Sequence, residues 1–329
     1  MTGTTVVAAD HVRGRESELR AMARTVWSSG LARIGIVMLG SFVAIAVFAP
    51  LVAPYPADRS DFERRLAPSA AHWLGTTATG EDILSQLILG SRISLFVGLV
   101  AGAIATFVAI AIGLAWGYTN DRLGAVIDFF VNIFLVVPGT PLMIILAAYL
   151  ANGGMSVIVF VIVVTGWATG ARVLRAQANT LRTRDFVVAA RFSGDSAPRI
   201  IFREIMPNMT SIIVANFIAA ALGAIGAESS LAFLGLGDPN TMSWGAMLFW
   251  SQNGSAMLTG QWQWIFMPGL CIALLCLSLT FINFGLDAIG NPRLRQIKPA
   301  KPAGPVNRVE QIGQIAHIEP TKEPKAVAE

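Results

Sequence analysis

Few side chains in this sequence are suited to covalent or proton-transfer chemistry, and their placement excludes most of it. Lys298, Lys301, Lys322 and Lys325 all stand near the C-terminus, and none follows a glycine or precedes Ser or Thr. A phosphate-cradling loop of the form G-x-x-x-x-G-K-[ST] cannot be assembled from them, so any ATP must be hydrolysed by a partner. His11, His72 and His317 lie apart from any nucleophile within an apolar tract, which removes Ser-His and zinc-hydrolase arrangements. His72 next to Trp73 reads as an ordinary interfacial pair. Cys271 and Cys276, five residues apart in an apolar run, face different sides of one helix and read as packing residues. The expectation is no catalytic residue, no metal site and no cofactor held by this chain.

One polar stretch, from Asp185 to Pro207, lies between long uncharged runs and has the residues of a contact surface. Asp185 is placed to cap a helix, and Gly194 suits the left-handed conformation that ends one. Asp195 or Ser196 can cap a second helix, with Pro198 tolerated in its first turn because the missing amide hydrogen has no partner there. Ala189 and Ala190 keep one side low, so a groove can approach the backbone beside Phe186. Arg182, Arg184, Arg191, Arg199 and Arg203 surround the unit with positive charge.

The spacing Ala189-Ala190, three residues, Gly194, then Pro207 resembles the loop of ABC-importer permeases written E-A-A, three residues, G, nine residues, I-x-L-P. Val188, Glu204 and Met206 stand where that pattern has Glu, Ile and Leu. His72-Trp-Leu-Gly75-Thr76, Gly80-Glu-Asp82, Gly90-Ser-Arg92-Ile-Ser94, Ser230 to Gly237 and Ser243-Trp244-Gly245 follow in the order of the dipeptide/oligopeptide/nickel branch. The resemblance, from about Arg33 to Arg293, identifies the chain as a C-type permease of that branch. It implies the type I importer fold and four kinds of partner: a second homologous permease, ABC ATPase subunits carrying ATP and Mg, an extracytoplasmic substrate-binding protein, and membrane lipid. Asp185, Phe186, Ala189, Ala190, Arg191, Gly194 and Pro207 would then form the ATPase-coupling helix. Di- or oligopeptides are the substrates it suggests first, with oligosaccharides, glutathione or nickel as alternatives.

Composition reaches the bilayer independently. With 54% hydrophobic residues, 13% charged and a mean hydropathy of +0.61, the chain cannot solvate an ordinary globular surface. Of 24 Lys and Arg, 5 precede Ile34, 7 lie from Arg172 to Arg203 and 7 follow Asn291, a topology signal rather than a nucleic-acid footprint. The expected fold is an all-α membrane protein with six transmembrane helices and a cytoplasmic coupling helix between the fourth and fifth.

Residues 1–33 read as a cytoplasmic tail with an interfacial helix at Leu19, Met22 and Val26. Residues 34–53 form span one, 54–90 an extracytoplasmic segment, and 91–290 a core of five spans containing the coupling loop 172–207. Residues 291–329 read as a disordered cytoplasmic tail. Span two runs from Ile93, with Gly98, Gly102, Gly113 and Gly117 allowing close helix approach. Spans three and four divide at Asn152-Gly153-Gly154. Pro138 and Pro141 force a kink in span three that either lines the pathway or is simply structural. Glu228, at the end of span five, either faces a cavity or sits in the interface. Six spans put both termini on one side, and the basic segments assign that side to the cytoplasm of a multi-pass inner-membrane protein. A stand-alone secondary transporter is the competing reading, disfavoured by the scarcity of ionisable residues within the spans.

Overall fold

A computed structural model describes residues 27, 29–119, 122–150, 153–238 and 241–290. The expected interfacial helix before Trp27 and the tail after 290 lie outside the described residues. Among those described, every regular element is helical. The helices are α1 (Gly30–Val52), α2 (Ile83–Tyr118), α3 (Arg122–Val136), α4 (Gly139–Tyr149), α5 (Gly154–Leu181), α6 (Asp185–Phe192), α7 (Ala197–Ile200), α8 (Thr210–Phe233), α9 (Trp244–Asn253) and α10 (Trp262–Gly290). Five segments are long and apolar enough to cross a membrane: α1, α2, α5, the run from Pro207 through α8, and α10. The pair α3 and α4 makes a sixth if taken as one bent span, with an 86° angle between its halves.

That bend is the expected proline kink, and sharper than a kink. Pro138 is the last extended residue before α4, at φ −61° and ψ 111°, and Pro141 lies in the first turn. Neither proline can donate a backbone hydrogen bond, so the two helical ladders cannot join through them. Residues 136–141 are all exposed on this chain.

α2 is the hub. At 36 residues it is about 54 Å long, and it starts at Ile83, ten residues ahead of the apolar run beginning at Ile93. The extra turns begin where Asp82 caps the helix, accepting from the Ser85 N–H at 2.8 Å. Arg92 stays exposed, so its charge does not interrupt the helix. α2 packs between α5 and α8, while α1 lies along α10 and α10 along α8. A Cβ on Gly102 would lie 2.6 Å from the Ala221 Cα of α8, and one on Gly113 would lie 2.7 Å from the Ala171 carbonyl oxygen of α5. Helices in lipid gain little from apolar burial alone, so backbones that nearly touch supply the attraction.

The segment between α1 and α2 folds back onto the start of α2. His72 is buried, with Nδ1 2.9 Å from Asp82 Oδ1 and its ring packed against those of Tyr55 and Phe62. The interfacial reading of His72 is thus corrected: Trp73 is exposed, but His72 is fixed inside a small polar core. Gln261, preceding α10, donates to the Thr76 carbonyl at 2.5 Å and fastens the segment to the start of α10.

Gly102→Ala is expected to destabilise the purified chain by about 1–3 kcal/mol, since backbone rather than a movable side chain blocks the new methyl. Gly223→Ala, with nothing within 4 Å, should leave the melting midpoint in detergent unchanged or higher. Equal midpoints for the two variants would count against a close-packed α2–α8 seam.

Candidate functional site

The polar stretch forms a compact unit at the Tyr118 end of the bundle. α6 begins one residue earlier than a capping Asp185 would require. Arg184 holds the extended cap position, at φ −77° and ψ 148°, and Asp185 is the first helical residue with no capping bond from its side chain. The carboxylate still stands where the unpaired amides of the first turn favour negative charge. At the other end the expectation holds: Gly194 has φ +83°, its N–H donates to the Arg191 carbonyl at 3.0 Å, and the Asp195 N–H donates to Ala190 at 3.1 Å. Those two bonds and the left-handed glycine form a Schellman close.

One residue anchors this helix. Val187 is fully buried in a cluster with Trp116 of α2, Leu174 and Ala178 of α5, Ile200 of α7, and Ile205 and Met209 beyond it. Ala190 packs against the same cluster, and the Arg191 guanidinium lies 5.0 Å from the centre of the Tyr118 ring. The opposite face holds Phe186, Val188, Ala189 and Phe192, all exposed, with Phe192 at 89%. Nothing in the described chain lies within 4 Å of a Cβ built on Gly194. The result is a short capped helix, held from behind, that presents apolar side chains outward with arginines around them.

After α7 the backbone widens into a π turn over Ile201–Ile205, where the Met206 N–H donates to the Ile201 carbonyl at 2.8 Å. Pro207 follows in a 3-10 turn that leads directly into α8. Wider hydrogen bonding ahead of a proline relieves the clash of its ring with the carbonyl four residues earlier. α7 and α8 therefore connect without an intervening loop.

The remaining distant motifs meet at the other end of α2. Ser94 Oγ accepts from the Trp244 N–H at 3.2 Å, and Trp244 Nε1 donates to the Leu87 carbonyl at 2.9 Å. Glu228 is 2% exposed, so it does not sit in an interface. It lies between α8 and α2, with Oε2 3.4 Å from the hydroxyls of Ser94 and Ser229, and borders a small cavity shared with Ser243 and Asp238. Its burial follows from the face of α8 that α2 covers, which the apolar run around it did not disclose. Nearby, a cavity of about 600 Å³ is lined by Asp58, Glu81, Asp238, Trp250 and Trp264 among others, with no Lys or Arg in its walls.

A second polar group was not singled out from the sequence. Asp128 and Asn132 of α3 meet Arg175 and Arg172 of α5, at 2.7 Å for Asp128 to Arg175 and 2.8 Å for Asn132 to Arg172. Their only signal was spacing: four residues apart on one helix and three on the other, the intervals that share a face.

Residues 109–296 match the family described as binding-protein-dependent transport system inner membrane component. Residues 19–68 match the N-terminal TM domain of oligopeptide transport permease C. The dipeptide transport system permease protein DppC of Bacillus subtilis is 32% identical over 277 residues, covering 83% of this chain and 85% of that protein. The oligopeptide transport system permease protein OppC of Mycobacterium tuberculosis is 34% identical over 261 residues, covering 78% and 88%. OppC of Bacillus subtilis is 29% identical over 272 residues, covering 82% and 88%. With the helical bundle, its bent span and the capped helix between α5 and α8, these matches establish that the chain belongs to the inner-membrane permease components of binding-protein-dependent ABC importers, in the C-type branch.

Proposed function

We propose that this permease imports di- or oligopeptides and that α6 is the element through which partner ATPases drive it. The substrate class follows from the dipeptide and oligopeptide transport of the related permeases. The observation that carries the coupling role is the geometry of α6. Its cap at Gly194 and its anchor at Val187 make it rigid, while Phe186, Val188, Ala189 and Phe192 face away from the bundle uncovered. An exposed apolar face of this kind, ringed by Arg182, Arg184, Arg191 and Arg199, suits a protein groove better than water.

In this reading α6 and both termini are cytoplasmic, in agreement with the basic residues gathered there. The segment 54–90 and the large cavity with Asp58, Glu81 and Asp238 then face the outside, where a binding protein delivers substrate. The residues of the 86° elbow, Pro138 and Pro141 among them, line the pathway against a second permease. Broken backbone at membrane depth persists only where protein or a watered cavity satisfies it, and this chain leaves the elbow uncovered. Glu228 has a fastening role, holding α8 to α2 through Ser94. Mg-ATP binds the ATPase subunits, whose closure displaces α6 and rocks the bundle between outward and inward access.

Gly194→Asp puts a side chain on a left-handed residue where the partner approaches. It is expected to leave the protein in the membrane, abolish ATP-dependent uptake and weaken ATPase co-purification; retained uptake with normal co-purification would reject the coupling role. Orientation has its own test. A cysteine introduced by Ala189→Cys, at an exposed position, with Cys271 and Cys276 replaced by Ala, should react with a membrane-impermeant maleimide in inside-out vesicles but not in intact cells. The reverse pattern would place α6 outside.

A further inference from the structure

α3 is loosely held for a helix that leads to the elbow. Only Gly124 and Val131 of α3 are buried, while Val126, Phe129, Phe130 and Ile133 are exposed. Ile127, Phe134 and Leu135 add half-buried apolar contact, and beside it stands a two-point polar clamp onto α5. Arg175 Nη1 donates to Asp128 Oδ1 at 2.7 Å, and Arg172 Nη2 donates to Asn132 Oδ1 at 2.8 Å. Asn132 Nδ2 in turn donates to Asp128 Oδ2 at 2.9 Å, so the four side chains form one connected set. Beneath it, the Arg175 guanidinium carbon lies 3.8 Å from the centre of the Trp116 ring of α2, a stacked cation–π arrangement.

The clamp shares its support with α6. Trp116, Val131, Leu174 and Val187 belong to one buried cluster, so the apolar floor under Arg175 is continuous with the anchor of α6. A second link runs along the end of α2. Arg182 Nη1 donates to the Tyr118 carbonyl at 3.0 Å, and Arg191 of α6 lies over the Tyr118 ring. α6 is thus attached to the end of α2 and, through the shared cluster, to Val131 of α3. From there, eight residues beyond Asp128, α3 ends at Val136 and the chain turns by 86° into α4.

We propose that Asp128 and Arg175 are positioning residues for transport: their clamp makes α3 follow α5 and α6, and so carries the movement of the docked helix to the elbow at Pro138. The inference rests on α6 being the coupling helix. Asp128 and Arg175 are each 42% exposed on this chain, so the pair is not a deep structural core whose loss must unfold the bundle. A charge-assisted pair with one side stacked on an aromatic face is directional, which suits a joint that must hold its angle.

The test uses the complete transporter, with both permeases and the ATPases in liposomes, its binding protein, and a labelled pool of short peptides as the probe. Asp128→Arg and Arg175→Asp should each leave the complex assembled and hydrolysing ATP while uptake falls roughly tenfold. Combining them restores the pair with its charges exchanged, and uptake should return to within about threefold of the original, a recovery that mere loss of packing would not produce. Asp128→Asn keeps the side-chain shape and removes only the charge, so it applies even if a reversed charge impairs insertion; it too should lower uptake at unchanged ATP hydrolysis. Normal uptake in Asp128→Asn, or no recovery in the exchanged pair, overturns the joint. Gly194→Asp in the same preparation separates the two levels. If it abolishes uptake while the Asp128 variants do not, the joint fails and the coupling helix stands; if it also leaves uptake intact, the coupling reading has failed.

Discussion

The architecture depends on the glycines through which α2 comes closest to its neighbours. Gly98 and Gly102 face α8 at Ile225 and Ala221, and Gly113 and Gly117 face α5 at Ala171 and Ala178. In lipid, an apolar side chain gains little by leaving hydrocarbon for a helix surface, so the available attraction comes from close contact over a long seam. A 36-residue helix with two such seams at successive heights can hold two spans at once. The other spans are placed secondarily: α10 on α8, α1 on α10, and the bent pair along α5.

Polar groups gather at the two ends that α2 joins, and they have different tasks. At the Asp82 end they are buried and mutually satisfied. Asp82 caps its helix and holds His72, Thr76 bridges to Glu63 and Gln261, and Ser94 serves both Glu228 and Trp244. Leaving such groups unpaired inside a bundle costs several kcal/mol each, so they specify one arrangement of loops. At the Tyr118 end the arginines are part-exposed and spread over α5, α6 and α7, with Asp128 and Asp195 as their closest anionic partners. That end stays solvated.

Much of this was legible in the sequence because the bilayer imposes one strong rule: uncharged tracts of sufficient length become helices. The close-approach glycines of α2 were readable for the same reason, since little else explains glycine at those spacings in an apolar helix. Gly194 was readable because a positive φ restricts residue choice. The identity of the cap was not, because Arg184 and Asp185 both fit a helix start within one residue. Burial of Glu228 and His72 was hidden, since it depends on which helix covers which face. The meeting of Asp128 with Arg175 was hidden further still, because 47 residues and two turns of chain separate them. The true start of α2 was masked by Arg92, whose charge reads as a boundary although its side chain simply points away from the packed faces.

The wide turn at Ile201–Ile205 also sets the angular phase of everything before it. A π turn accommodates about one residue more than an α turn, and each residue in an α-helix advances by roughly 100°. Ile200 and the helix before it are thus rotated by about that amount from where an uninterrupted extension of α8 would carry them. Which side of the unit faces the bundle and which faces outward is set in part by that single surplus residue.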